Sequence, residues 1–185
     1  LVHVEQLEVE HTYGNASLAG ELSLKADYPM ALSAAFDAQH IAELPELKAQ
    51  KLTIKAEGGF DKLNITATGS GHIDLSLDSD IVLSSPTLPY HLKLKSKRLT
   101  WPLDNPLYIS ESINLSSQGS LSHQSVTLTG LINTPYQPQL DIDTAFEHTA
   151  QQIEIGHLNA KGSIGELIAS GSASYGDKID WDADI

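Results

Sequence analysis

Histidine and carboxylate side chains are the groups in this sequence that could do chemistry. The eight histidines are scattered singly from His3 to His157, and none has the HxxxH or HxH spacing that places two imidazoles on one metal ion. Asp180, Asp182 and Asp184 alternate with apolar residues, but the glycine-containing loop of a calcium site is absent. We interpret these aspartates, like Asp141 and Asp143, as the solvated face of a strand and expect no metal site.

Motifs for covalent or acid–base catalysis are also missing. Two carboxylates spaced by two along one strand create neither a cleft nor a perturbed environment. The sequence has no GxSxG, no phosphate-cradling glycine loop and no cysteine. We therefore expect neither enzymatic activity nor a cofactor.

Charge and hydropathy exclude further classes of function. The formal net charge is −13, whereas nucleic-acid binding needs a basic surface, so we expect no nucleic-acid partner. No apolar run approaches the roughly 18 residues of a spanning helix, and no signal peptide precedes the pattern. The chain starts in mid-pattern at Leu1 and stops on a strand at Ile185. We interpret it as a fragment of a longer protein, whose membrane association would come from an anchor outside this segment.

Period-two alternation of apolar and polar residues dominates the chain. In its last segment Ile179, Trp181 and Ala183 alternate with aspartates, which is typical of a half-buried β-strand. About a dozen such segments follow one another across short turns, and this spacing predicts an all-β, antiparallel-rich fold. A short helix is an alternative only at Asp37–Leu47, before Pro45 interrupts it.

The strands repeat a common plan. Repeat-like units begin near Gln6, Lys51, Ser112 and His157, and in each a glycine falls in or at the end of the second strand: Gly20, Gly69, Gly130 and Gly171. We predict a single repeat-built β domain over residues 1–185.

Each strong strand has one aliphatic face that must be covered. A sheet of a dozen strands, about 4.8 Å apart, would be on the order of 50 to 60 Å long. It could fold onto itself as a β-sandwich, or curl into a trough whose apolar face stays partly open. Periodicity does not separate the two, because both bury alternate residues. On the polar side, we interpret Lys93, Lys95, Lys97 and Arg98 as a solvated strand face that discourages edge pairing.

Three stretches resemble the repeats of the TamB family, which belongs with the AsmA-like proteins of Gram-negative envelopes. They are KAEGGFDKLNITATGSG, LSSQGSLSHQSVTLTGLINTPYQPQLDIDTAF and LNAKGSIGELIASGSASYGDKIDWDADI. The resemblance implies an elongated, curved sheet with a hydrophobic groove, often called a β-taco. It further implies a periplasmic location, an inner-membrane anchor, the outer-membrane protein TamA as partner, and a role in phospholipid transport and outer-membrane protein assembly.

The resulting hypothesis is a periplasmic bridge that carries phospholipid acyl chains between the two membranes. The residues predicted to line its groove are Leu18, Leu22, Leu24, Leu52, Ile54, Ile65, Leu75, Leu77, Leu92, Leu94, Ile113, Leu115, Val126, Leu128, Ile132, Leu140, Ile142, Ile155, Ile179 and Trp181. Two alternatives are a chaperone-like factor for outer-membrane protein or autotransporter assembly, and a secreted adhesin or structural β-sandwich.

Overall fold

All secondary structure described in the computed structural model is β-strand. The model describes residues 1–38, 49–102, 106–136, 139–175 and 179–185. Beyond Ala38, the segment where a short helix was an alternative lies outside the described residues. The strands are β1 (Val2–His11), β2 (Gly14–Leu22), β3 (Met30–Ala38), β4 (Lys51–Gly58), β5 (Leu63–Ser70), β6 (Asp74–Ile81), β7 (Tyr90–Trp101), β8 (Tyr108–Gly119), β9 (His123–Asn133), β10 (Leu140–Thr149), β11 (Gln152–Gly162), β12 (Gly165–Tyr175) and β13 (Ile179–Asp184).

The thirteen strands form one open antiparallel sheet whose strand order is the sequence order. Each strand from β2 to β12 pairs with the strand before it and the strand after it, so the chain runs as a continuous meander. This confirms the predicted elongated, curved antiparallel sheet. The β-sandwich alternative is wrong, because every described strand belongs to this single sheet.

A single layer leaves little of the sheet fully buried. Ala38, Leu63 and Ile113 are the apolar side chains that reach the buried range among the described residues. Most other apolar side chains on the inner strands are half-buried, as expected when one sheet face has no second layer on it. Packing between neighbours along the sheet therefore replaces a closed core.

β-Bulges interrupt the ladder at several points. The pairing register shifts between Val4 and Leu7 in β1, between Glu111 and Asn114 in β8, and between Ile155 and Leu158 in β11. A further shift lies between β6 and β7, next to Asp74. Bulges bend a strand and increase its local twist, so they contribute to the curvature of the sheet.

A glycine of the following strand lies beside the bulge in β1, β8 and β11. Val4 is opposite Gly20, Ile155 is opposite Gly171, and the Ile113 side chain occupies the space where a Cβ of Gly130 would lie. The predicted repeat-like units that start near Gln6, Ser112 and His157 begin within these bulged strands, and the unit that starts near Lys51 begins with β4. The division into repeats stays a prediction.

Successive turns are joined along one long edge of the sheet, which we call the turn-linked rim. It is formed by the turns that follow β2, β4, β6 and β8. Phe60 N donates to Asp27 O at 2.8 Å, Ser84 N donates to Phe60 O at 2.9 Å, and Leu121 N donates to Thr87 O at 2.9 Å. These backbone hydrogen bonds fix the spacing of neighbouring hairpins on this side.

Candidate functional site

The candidate site is the apolar face of the sheet, which the cross-strand register makes continuous. Directly paired residues of antiparallel strands project to the same side of the sheet, so the cross-strand register defines which residues share a face. The central row of this face crosses twelve strands, from β1 to β12. It consists of Leu7, Leu18, Ala34, Ile54, Ala67, Leu77, Leu94, Leu115, Leu128, Thr144, Leu158 and Ala169.

The polar member of the central row is Thr144, and its hydroxyl is satisfied inside the sheet. Thr144 Oγ1 donates to the carbonyl oxygen of His157 at 2.9 Å. Twelve strands at about 4.8 Å give the central row a length of roughly 53 Å. The row is therefore a long aliphatic surface without a charged side chain.

Nineteen of the twenty predicted lining residues lie on this face. The register places six in the central row: Leu18, Ile54, Leu77, Leu94, Leu115 and Leu128. On the side of the turn-linked rim lie Leu22, Ile65, Leu92, Val126, Ile155, Ile179 and Trp181. On the opposite side lie Leu52, Leu75, Ile113, Ile132, Leu140 and Ile142. Whether they bind a ligand stays a prediction.

Leu24 is placed differently from the other predicted residues. β2 ends at Leu22, and Leu24 lies in the following turn with 62% of its surface exposed. Ser23 N donates to Pro29 O at 2.8 Å, which closes the hairpin before Leu24 can join the ladder. The strand therefore ends at Leu22, before the turn that contains Tyr28 and Pro29.

Several residues of the same face were absent from the predicted lining. Leu7 and Val9 were missed because the bulge in β1 breaks the alternation. Leu63 and Phe146 follow regular alternation, and that signal could have found them, whereas Leu158 lies beyond the bulge in β11 that reverses the alternation of Ile153 and Ile155.

The apolar face deepens at its N-terminal end. A depression of about 350 Å³ there is lined mainly by β1–β4, where small residues separate large ones. Ala16 and Ala34 lie between the larger Leu18, Phe36 and Ile54, each of which is more than a third exposed. Its volume lies at the lower end of the range for small-molecule sites.

The polar face carries most of the charged residues and a depression of about 690 Å³. Its walls include an ion pair, in which Lys62 Nζ lies 3.5 Å from Asp80, and a contact in which His123 Nε2 lies 3.5 Å from Glu147. A surface of mixed charge does not offer a path for hydrocarbon.

The aspartates considered for chemistry, Asp141, Asp143, Asp180, Asp182 and Asp184, lie on the polar face, whereas His148 lies on the apolar face. Asp143 pairs with His157 at 3.1 Å, while Asp180 and Asp182 are exposed on β13. Among the described residues, no three His, Asp or Glu side chains are grouped so as to hold a metal ion. The described part of the chain also contains no helix long and apolar enough to cross a membrane.

Comparison with known proteins adds a family to this geometry. A family model described as the N-terminal domain of TamB matches residues 1–185. The chain belongs to the TamB family. This confirms the resemblance carried by the repeated strand and glycine pattern.

A curated TamB-family relative comes from Haemophilus influenzae. It is the translocation and assembly module subunit TamB, and it is 22% identical over 191 residues. The match covers 98% of this chain but 14% of the relative, so the chain spans about a seventh of that protein's length. No solved structure matches the chain.

Proposed function

We propose that this segment forms part of a periplasmic bridge along which phospholipid acyl chains move between the inner and outer membranes. The observation that carries the proposal is the uninterrupted central row. We call the trough formed by the curved apolar face the groove. Membership of the TamB family supports a role in the cell envelope, with an inner-membrane anchor elsewhere in the full-length protein and TamA as its outer-membrane partner.

The energetics of lipid movement favour such a surface. Each methylene kept out of water is worth about 0.8 kcal/mol, so a 16-carbon chain crossing water unshielded would lose roughly 12 kcal/mol. A row of aliphatic side chains from β1 to β12 removes much of this cost at every step. Because the central row has no charged anchor, successive positions are similar in energy, and a bound chain can slide.

An assembly role for unfolded β-strands is the second candidate. β1 and β13 each have one edge without a partner among the described strands, and such an edge can accept an added strand. The name of the Haemophilus relative, which refers to translocation and assembly, fits this role as well.

Photo-crosslinking in living cells tests the proposal directly. A photoreactive residue is placed in the full-length protein at Leu128 or Leu75 on the apolar face, or at the adjacent Thr127 or Ser76 on the polar face. We expect phospholipid adducts at the first pair and none at the second, as measured by mass spectrometry of the purified adducts.

The other outcomes separate the candidates. Protein adducts along β1 or β13, with none of lipid at Leu128, would favour the assembly role. Equal lipid labelling of both faces would contradict a groove, because it would indicate contact with a membrane surface instead.

A further inference from the structure

The row of the apolar face nearest the turn-linked rim changes character in the middle of the sheet. This rim row begins with apolar residues and includes Leu63 in β5 and Ile81 in β6. In β7 to β10 it continues through Tyr90, Gly119, Gln124 and His148, before Ile153 restores the apolar character. The groove therefore has a local polar segment on one side.

Tyr90 extends this polar segment towards the centre of the face. Its directly paired residue is Gly119, which has no side chain to block the phenol ring. The Tyr90 hydroxyl lies 2.9 Å from Ser117 Oγ in a partly buried hydrogen bond. Ser117 is in the next row inward, so the two hydroxyls lie between the rim and the aliphatic centre.

Gln124 and His148 continue the segment in β9 and β10. They are directly opposite each other in the register and both are half-buried. Neither side chain makes a hydrogen bond with the described part of the chain. Polar groups on an apolar surface are costly to desolvate unless a ligand or water satisfies them.

We propose that Tyr90, Ser117, Gln124 and His148, the polar strip, bind the phosphate oxygens of a glycerophospholipid. This inference rests on the proposed lipid-carrying function. The phenol, amide and imidazole groups supply O–H and N–H donors, and the phosphate oxygens accept their hydrogen bonds.

The position of the strip sets the orientation of the lipid. Gln124 and Leu128 are four residues apart in β9, which corresponds to about 13 Å along the strand. A lipid whose acyl chains lie on the central row therefore points its polar end towards the turn-linked rim. The strip adds hydrogen bonds to the contacts with the acyl chains. A lipid at the strip is therefore bound more tightly than a lipid elsewhere along the central row.

The test compares two lipids with the same acyl chains, phosphatidylethanolamine and diacylglycerol. Both carry a photoreactive group in one chain and are added in vesicles to the full-length protein. The measured quantity is the ratio of phosphatidylethanolamine adducts to diacylglycerol adducts on the protein. The variant Tyr90→Phe/Gln124→Leu removes a hydroxyl and an amide with small changes in shape. The matched control is Gln118→Leu, the same chemical change on the polar face of β8.

We expect the wild-type protein and Gln118→Leu to prefer phosphatidylethanolamine, and the double variant to lose about fivefold or more of that preference. Diacylglycerol labelling should stay unchanged in all three proteins, which also shows that the double variant still folds. An unchanged preference in the double variant would overturn the polar strip and leave the groove in place. Absence of adducts from both lipids in the wild-type protein would overturn the strip together with the lipid-carrying function.

Discussion

Leu128 and Thr127 show how neighbouring residues meet different surroundings in a one-layer sheet. Leu128 is half-buried between Leu115 and Thr144 on the apolar face, whereas Thr127 is exposed between Ser116 and Ala145. No second layer covers Leu128. A long charged side chain at this position can therefore reach water without leaving the sheet.

Substitution of Leu128 by Arg separates a groove from a closed core. We expect the variant to fold with a loss of only about 1 kcal/mol, since a half-buried leucine contributes a fraction of its full transfer free energy. Lipid transport should nevertheless fall severely, because the guanidinium places a charge on the central row. Thr127→Arg should leave transport unchanged. Protease resistance of the full-length protein and outer-membrane lipid composition are the two measurements, and loss of the folded protein in Leu128→Arg would contradict an open face.

Alternation placed nineteen of the twenty residues predicted to line the groove on one face of the sheet, and Leu24 shows where alternation failed. Alternation alone extends β2 past Leu22, since Leu18, Leu22 and Leu24 have the right spacing. The hydrogen bond from Ser23 N to Pro29 O overrides that spacing. Propensity and periodicity describe a strand, whereas the turn that ends it depends on a contact across the hairpin.

At the scale of elements, the bulges and the glycines beside them are the feature that periodicity concealed. A bulge inserts one residue and reverses the alternation, so β1 had a mixed pattern in the sequence. The same reversal places Ile109 on the opposite face from Ile113, although both precede Leu115 in one strand. Alternation predicted the faces of regular strands such as β9 and β10, but not the points where the sheet bends.

Gly20→Ala tests the packing beside the first bulge. Gly20 has φ +143°, and an added Cβ would collide with the backbone of β3 at Ala31. We expect β2 and β3 to lose stability by about 1–3 kcal/mol, measured as faster amide hydrogen exchange of their peptides in the full-length protein. The control is Gly156→Ala in β11, where the nearest atom to an added Cβ is Ala145 O at 3.7 Å. Equal exchange in the two variants would show that the close approach at Gly20 is not needed.

At the scale of the whole molecule, one property could not be obtained from the sequence: whether the apolar face is covered. A sandwich and an open sheet bury the same alternate residues, so the choice depends on tertiary contacts that periodicity does not encode. The described strands form a single sheet in sequential order, so none of them makes a second sheet over this face. The composition, with few aromatic and many aliphatic residues, suited the open form without requiring it.

The proposed lipid path along the central row, from β1 to β12, predicts how two blocking substitutions combine. Ile54→Arg and Leu128→Arg block the central row in β4 and β9. Each should abolish most lipid transport, and the double variant should be no worse than either single one. Transport rates of the three variants, with Lys55→Arg and Thr127→Arg combined as the control on the polar face, provide the measurement. Multiplying defects would indicate separate binding sites and contradict one continuous route.

The sequential strand order has a consequence for how such a protein changes in length. Every hairpin is bonded to its sequence neighbours, so a new hairpin can be inserted without rebuilding a distant interface. Each added hairpin lengthens the sheet by about 10 Å, at two strand spacings. The length of the molecule can thus change during evolution in steps of one hairpin. Because the contacts are local, each added hairpin can also fold as soon as its own strands and the preceding hairpin are present.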